Sequence, residues 1–362
     1  MSATCEGAIG PDGERFWEEF SRRISAERVP FSGSLALTHR CNLGCLHCYS
    51  RAGDGPGAAE LGMERWLEII DEIKEAGCLY LLLTGGEPLL REDFASIYSH
   101  AKRNGFLVTV FTNATLLDDR LAGLFAELPP RLVEVSLYGA GAETHDRVTG
   151  VPGSFFRAWR GIERLVARGI PLGLKSVMMT LNIGEIAAIE ERARAIGARF
   201  RLDPAVFPTL AGDRSPLALR VPPEQAVARE FSDPRRVDEM REFYSRFRGV
   251  RGPDSVYACA AGMSTFHVDP FGKLYPCVMA TRHGCELAGA GFLRRWREEM
   301  PRVREAVLDA GSPCRTCEWK SVCGYCPGFF GLENGDERVP SAYVCELGRL
   351  RYERLTAPAD GG

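Results

Sequence analysis

Thirteen of the 362 residues are cysteines, and three stand together in Cys41-Asn42-Leu43-Gly44-Cys45-Leu46-His47-Cys48. A loop with this Cys-x3-Cys-x2-Cys spacing can aim three thiolates at one point. Three is one short of a filled tetrahedral or cubane site. Structural zinc takes four protein ligands, whereas a site with an open position can bind a substrate. Thiolates are also the standard ligands of iron–sulfur clusters, and a cluster on three of them leaves one iron for an outside molecule. A zinc knuckle or a redox thiol set is the competing reading of the triplet alone.

Further along, Thr84-Gly85-Gly86-Glu87-Pro88 follows a strand-like run. Glycines at a strand end let a ligand approach backbone N–H and C=O groups closely. Thr112-Asn113-Ala114 closes the next strand and Ser136 the one after it. Lys175 sits inside an apolar strand, where a charge must be paired or aimed into a cavity; it contacts a ligand or forms a salt bridge at a barrel mouth. Seven more cysteines crowd the C-terminal third: Cys259, Cys277, then Cys314-x2-Cys317-x5-Cys323-x2-Cys326, then Cys345.

The triplet after a first strand, with Gly-Gly-Glu-Pro one β/α unit later, resembles the radical S-adenosylmethionine (radical SAM) superfamily. The C-terminal cysteines resemble the SPASM extension found in part of it. The resemblance spans about Ser34 to Cys345 and implies that Cys41, Cys45 and Cys48 hold a [4Fe-4S] cluster whose free iron chelates SAM. It implies SAM contacts from Gly85, Gly86, Glu87 and Pro88, and from Asn113 and Ser136 at the next two strand ends; Lys175 and His47 are added as candidates. His47 stands where the family usually has an aromatic residue, and Ala114 where it tends to have Gly. By the same analogy Cys314, Cys317, Cys323 and Cys345 ligate one auxiliary cluster, and Cys259, Cys277 and Cys326 another. The last spacing of the central run is x2 where the family usually has x3. Two filled clusters need eight thiolates and the motif supplies seven, so Cys285 is a spare candidate, or one iron stays open. A zinc ribbon is the structural rival, but one zinc would leave three of these cysteines unexplained. Cys5 and Cys78 stand outside both patterns.

A formal net charge of −3 leaves no basic footprint, which disfavours nucleic acid and anionic membranes as partners. The clusters Arg246/Arg248/Arg251 and Arg294/Arg295/Arg297 read as solvated surface. No apolar run approaches the ~20 residues that span a bilayer. No signal peptide opens the sequence, so the cysteines read as ligands in a cytoplasmic protein rather than as a disulfide framework.

The elements that must position these residues alternate. Strand-like runs at Leu35–Leu37, Tyr80–Leu83, Leu107–Phe111, Leu132–Leu137, Leu172–Met179 and Arg199–Leu202 are separated by amphipathic helical stretches. Such alternation predicts a parallel sheet with right-handed crossovers. The fold class is therefore α/β: a partial (β/α)6 TIM-like barrel with its chemistry at the strand C-termini, followed by a small cysteine-rich SPASM domain. The expected divisions are a tail and short helix over 1–33, the radical SAM core over 34–236 and the auxiliary-cluster domain over 237–362. Residues Tyr138–Gly150 read as a loop whose His145 and Asp146 cap a helix or line the cavity. His267 and Asp269 read as turn residues before Cys277.

The resemblance implies an enzyme that reductively cleaves SAM to a 5′-deoxyadenosyl radical and takes hydrogen from a substrate. An electron donor of flavodoxin or ferredoxin type would serve it. Proteins with this domain pair mostly modify ribosomally made peptides, so a peptide is the first expectation. Residues 1–40 leave little room for a leader-recognition domain, which implies a separate leader-peptide-binding protein. Oxidation of a tetrapyrrole or cofactor precursor is the alternative. Sulfatase maturation fits less well, because Val278 stands where those maturases place an Asp. A non-catalytic electron carrier would not need Gly85-Gly86-Glu87-Pro88.

Overall fold

A computed structural model describes residues 11–50, 59–247 and 254–357. Cys5, Arg248, Arg251 and nearly all of the C-terminal tail lie outside them. Helix α1 (Pro11–Ala26) leads into β1 (Ser32–Ala36). Then follow α2 (Met63–Glu75), β2 (Tyr80–Thr84), α3 (Phe94–Arg103), β3 (Leu107–Thr112), α4 (Asp119–Glu127), β4 (Leu132–Ser136), α5 (Ala142–Thr149) and α6 (Ser154–Ala167). The alternation closes with β5 (Leu172–Val177), α7 (Ile186–Ala195) and β6 (Arg199–Asp203). All six strands are parallel neighbours in chain order, β1 through β6. They form the expected partial barrel.

The helices form where a single apolar stripe can be buried. In α2 that stripe is Trp66, Ile69, Ile70 and Ile73, all fully buried. The start of α4 is fixed by Asp118, whose carboxylate accepts from the Leu121 N–H at 2.8 Å. Helix α5 replaces the loop expected over Tyr138–Gly150. It is short and mostly polar, burying His145, Val148 and Thr149, so no long apolar stripe announced it.

The proline-rich bridge also contains helices, α8 (Pro223–Glu230) and α9 (Pro234–Phe247). Each opens on a proline, which suits the first helical position because that N–H has no intrahelical partner. The boundary expected at 236/237 falls inside α9.

Beyond it come β7 (Thr265–Val268), β8 (Lys273–Tyr275), β9 (Cys285–Glu286), α10 (Phe292–Glu305), α11 (Pro327–Asn334) and α12 (Ala342–Thr356). Strand β7 pairs in parallel with β1, and β8 and β9 follow antiparallel, so one nine-stranded sheet runs through both regions. Gly33 makes that junction possible. A Cβ there would lie 2.1 Å from the ring of Phe266, its partner on β7. Phe266, Phe292, Trp296 and Met300 join the same apolar core as α2 and the barrel strands. Buried ion pairs tie the regions further: Arg351 bonds both Glu230 carboxylate oxygens at 2.8 Å, and Arg220 meets Glu333 at 2.6 Å.

Candidate functional site

The cysteine loop is pinned on both sides. On entry, Leu37 N–H donates to Thr84 O at 2.9 Å, Gly86 N–H to Thr38 O at 2.7 Å and Glu87 N–H to Arg40 O at 2.9 Å. Glu60 accepts from Thr38 Oγ1 at 2.8 and 2.9 Å and from the His39 N–H at 2.7 Å. Buried Arg91 reaches Leu37 O at 2.9 Å. On the far side, the Gly44 and Leu46 N–H groups donate to Thr149 O and Val148 O at the end of α5. Loop rigidity thus depends on Glu60, Arg91 and α5, none of which carries a local sequence signal.

The two glycines after β2 serve this packing. A Cβ on Gly85 would lie 2.4 Å from Thr38 O, and one on Gly86 would lie 2.4 Å from Arg40 O and 2.5 Å from His39 O. The close approach is that of the cysteine loop itself. Glu87 is turned inward. Its carboxylate accepts from Thr112 Oγ1 and the Asn113 N–H at 2.7 Å and the Leu89 N–H at 3.1 Å, and burial raises its pKa to about 7. Glu87 therefore braces β2 against β3, and Pro88 opens the short buried turn behind it.

Cys41, Cys45 and Cys48 line one cavity at the C-terminal ends of the strands. Gly85, Gly86, Asn113, Ser136, Lys175 and His47 line it too, whereas Glu87 and Pro88 do not. Asn113 Nδ2 donates to Asn42 Oδ1 at 2.9 Å and lies 3.9 Å from Cys41 Sγ. The Cys41 thiol is raised first by burial, while the Leu43 N–H on its sulfur lowers it. Lys175 forms the salt bridge of the barrel mouth, 3.1 Å from Asp203, over the Phe111 ring. His47 packs edge-on against Tyr138, with ring centroids 4.4 Å apart. Burial, then the Lys175 charge, pushes its pKa down to about 4, so the imidazole is neutral. Its Nδ1 is buried without a hydrogen-bond partner among the described residues. An orphaned atom of this kind on a cavity wall suits a bound polar ligand.

The C-terminal cysteines separate into two sets. Burial raises Cys277 to about 12, and the next causes include the neighbouring Cys326 and Cys259 thiols; Cys326 likewise feels Cys259. Burial also raises Cys323 to about 12, with Cys317, Cys345 and Cys314 as its charged neighbours. These are the sets that the spacing analogy implies. Cys345 reaches its set because Gly348 on α12 lies flat against Cys323, where a Cβ would come within 2.3 Å of the Cys323 Cβ. Burial keeps these thiols protonated as free groups, and metal coordination deprotonates a thiol outright. Among the described residues no three His, Cys, Asp or Glu side chains converge closely enough for a single metal ion.

Cys285 belongs to neither set. It lies in β9 with its thiol toward Leu274 O, and its charged neighbours are Glu299, Arg295 and Glu286. Cys78 is buried against Phe31 O and Tyr80 O. Asp146 accepts from the Gly153 and Phe155 N–H groups and Ser154 Oγ, capping α6, while His145 Nδ1 accepts from the Tyr138 N–H at 3.2 Å. His267 bonds Ser34 at 2.8 Å, and Asp269 accepts from the Phe271 and Lys273 N–H groups, as turn residues do.

The sequence profile described as "Radical SAM superfamily" matches residues 35–193. The mycofactocin maturase MftC of Mycobacterium ulcerans is 30% identical over 329 residues, covering 85% of each chain. The chain belongs to the radical SAM superfamily. The AdoMet-dependent heme synthase of Methanosarcina barkeri is 28% identical over 333 residues, 86% of this chain and 95% of that one. Streptococcus suis SuiB bound to its precursor peptide SuiA shares the fold at a TM-score of 0.69 and 14% identity, covering 95% of this chain and 83% of that one. The present chain is a radical SAM enzyme of the SPASM type, with S-adenosylmethionine and [4Fe-4S] clusters as its cofactors. No helix among the described residues is long and apolar enough to cross a membrane.

Proposed function

We propose that Cys41, Cys45 and Cys48 hold the SAM-binding [4Fe-4S] cluster and that the enzyme modifies a ribosomally made peptide. The cavity shared by the three thiols, the Gly85-Gly86 turn and the strand ends of β3 to β5 carries this reading. Held by these three thiolates, the cluster would supply the electron for reductive cleavage of SAM to methionine and a hydrogen-abstracting 5′-deoxyadenosyl radical. The chain's own residues hold the reactants. Gly85 and Gly86 keep the cysteine loop pressed on β2. Asn113 fixes the loop through Asn42. Neutral His47 presents Nδ1 as a hydrogen-bonding atom to SAM. Ser136 supplies a hydroxyl at the next strand end, and Lys175 with Asp203 keeps the cavity mouth polar and charge-balanced. Cys314, Cys317, Cys323 and Cys345 would fill one auxiliary cluster. Cys259, Cys277 and Cys326 would leave a position open on the other.

The peptide reading draws on the mycofactocin maturase and on SuiB with its precursor peptide. A flavodoxin- or ferredoxin-type donor and a separate leader-binding protein, both in the cytoplasm, complete it. A second reading, oxidation of a porphyrin side chain, is favoured by the heme synthase, which this chain matches over 95% of that protein. The test is anaerobic reconstitution with iron and sulfide, then SAM and dithionite. Deoxyadenosine should form, and should vanish in Cys41→Ala, Cys45→Ala and Cys48→Ala. Turnover persisting in these variants refutes the assignment.

A further inference from the structure

A second cavity, of about 380 Å³, lies beside the first. One wall is the segment Leu210–Gly212 with Arg214; the others come from Met279, Arg282, helix α11 and Glu337. The same stretch of chain serves both cavities, since Ala205, Val206 and Phe207 wall the one over the cysteine loop. The Leu210 N–H donates to Tyr49 O at 2.8 Å, which ties this stretch to the residue after Cys48. Phe207 packs edge-on against Phe329 of α11, with centroids 4.7 Å apart. Met279 and Gly328, both on the second cavity, are each two residues from a cysteine of the Cys259/Cys277/Cys326 set. The chain segments that wall this cavity thus lead on one side to the proposed SAM site and on the other to an auxiliary thiol set.

The cavity's polar groups are unevenly satisfied. Glu333 is occupied by Arg220 at 2.6 Å and by Ser341 Oγ at 3.0 Å. Glu337 accepts from the Tyr257 hydroxyl at 2.7 Å and bonds His283 Nε2 at 2.8 Å. Asp213, next to Arg214, accepts from Ser215 through both its N–H and its hydroxyl. Arg214 and Arg282 form no ion pair and no side-chain hydrogen bond among the described residues; Arg282 acts on Glu337 only at longer range, as the weakest cause of its lowered pKa. Arg214 and Arg282, both exposed, therefore line an open pocket whose own carboxylates already have hydrogen-bond donors. A guanidinium presents a planar fork that matches a carboxylate with two parallel hydrogen bonds.

We propose that Arg214 and Arg282 bind a carboxylate of the substrate in this cavity while the reacting end of the same molecule enters the cavity over the cysteine loop. The inference rests on the proposed function and narrows its substrate to an acid. An acidic peptide side chain and a porphyrin propionate carry the same group, and the test separates them.

Binding to the anaerobically reconstituted protein is measured with two probes: coproporphyrin III, by its absorbance shift, and a fluorescent hexaglutamate peptide, by anisotropy, with hexaglutamine as the neutral control. The wild type should bind one of the two acids, and the Arg214→Gln/Arg282→Gln variant should bind it about tenfold to a hundredfold more weakly per guanidinium lost. The Arg214→Lys/Arg282→Lys variant should fall between, because it keeps the charge and loses the fork. Loss confined to the porphyrin identifies propionates, and loss confined to hexaglutamate identifies an acidic peptide. Binding of neither acid by the wild type, or equal binding by the Gln variant, overturns the proposal. Substrate-free SAM cleavage by the wild type reports the proposed function separately, so its absence refutes that reading whatever the probes do.

Discussion

Replacing Gly86 by alanine should damage the site through packing alone, since the φ of Gly86 is not in the left-handed region. The new Cβ would lie 2.4 Å from Arg40 O and 2.5 Å from His39 O. Carbon and oxygen settle at about 3.3 Å, so the segment must retreat by about 1 Å. Both opposing atoms are backbone, so no rotamer change relieves the clash. Overpacking of this kind costs about 1–3 kcal/mol. The larger effect is on function, because the displaced residues immediately precede Cys41. A misplacement of about 1 Å can lower a rate about a hundredfold. The assay is the initial rate of deoxyadenosine formation at saturating SAM, with iron content and a thermal melt on the same samples. Gly123→Ala is the internal control. Gly123 sits in α4 with nothing within 4 Å of its Cβ position, so alanine there should stabilise by up to about 1 kcal/mol. Gly86→Ala with wild-type iron and a rate within about twofold of normal would refute the argument that the Gly85-Gly86 turn exists to admit the cysteine loop.

Other outcomes follow from the remaining geometry. Cys323→Ala should lower iron by about four per chain, whereas Cys285→Ala should leave iron content unchanged, both by colorimetric assay of the reconstituted protein. Glu230→Ala strands the Arg351 guanidinium, whose side chain is only 10% exposed; a loss of about 3 kcal/mol should appear in denaturant melts. Burial pushes the pKa of His145 down to about 4 and that of His267 to about 3. The unfolded chain therefore binds more protons, and stability is fully present above about pH 6.5 and lost as pH falls below it. Each histidine should contribute a slope of about 1.4 kcal/mol per pH unit down to its folded pKa. His267→Gln should flatten the acid side of a stability–pH curve, and an unchanged slope would contradict the assignment.

The barrel was legible because its strands are short apolar runs set between helices with one apolar stripe, a pattern that only a covered parallel sheet satisfies. Helix α5 was not, since its eight mostly polar residues between Gly141 and Gly150 look like a loop until the cysteine loop takes its last carbonyls. The glycines after β2 read as room for a ligand, whereas what packs on them is backbone from the Thr38–Arg40 stretch. Glu60 and Arg91 were invisible because their partners are main-chain and hydroxyl groups far away in sequence. Ala114 adopts a φ of 57°, a left-handed conformation that suits the glycine the resemblance implies there. Its neighbours Asn113 and Thr112 show that the motif survives the exchange: Thr112 Oγ1 still accepts from the Ala114 N–H at 2.9 Å.

Strand β7 gives the barrel its neighbour on the β1 side. Severing the chain ahead of it would bare the flank of β1, the strand that leads to Cys41, as a row of unsatisfied amides open to any passing strand. The catalytic half should therefore precipitate when expressed alone, and minimal fragments worth making must retain the hairpin through Glu286.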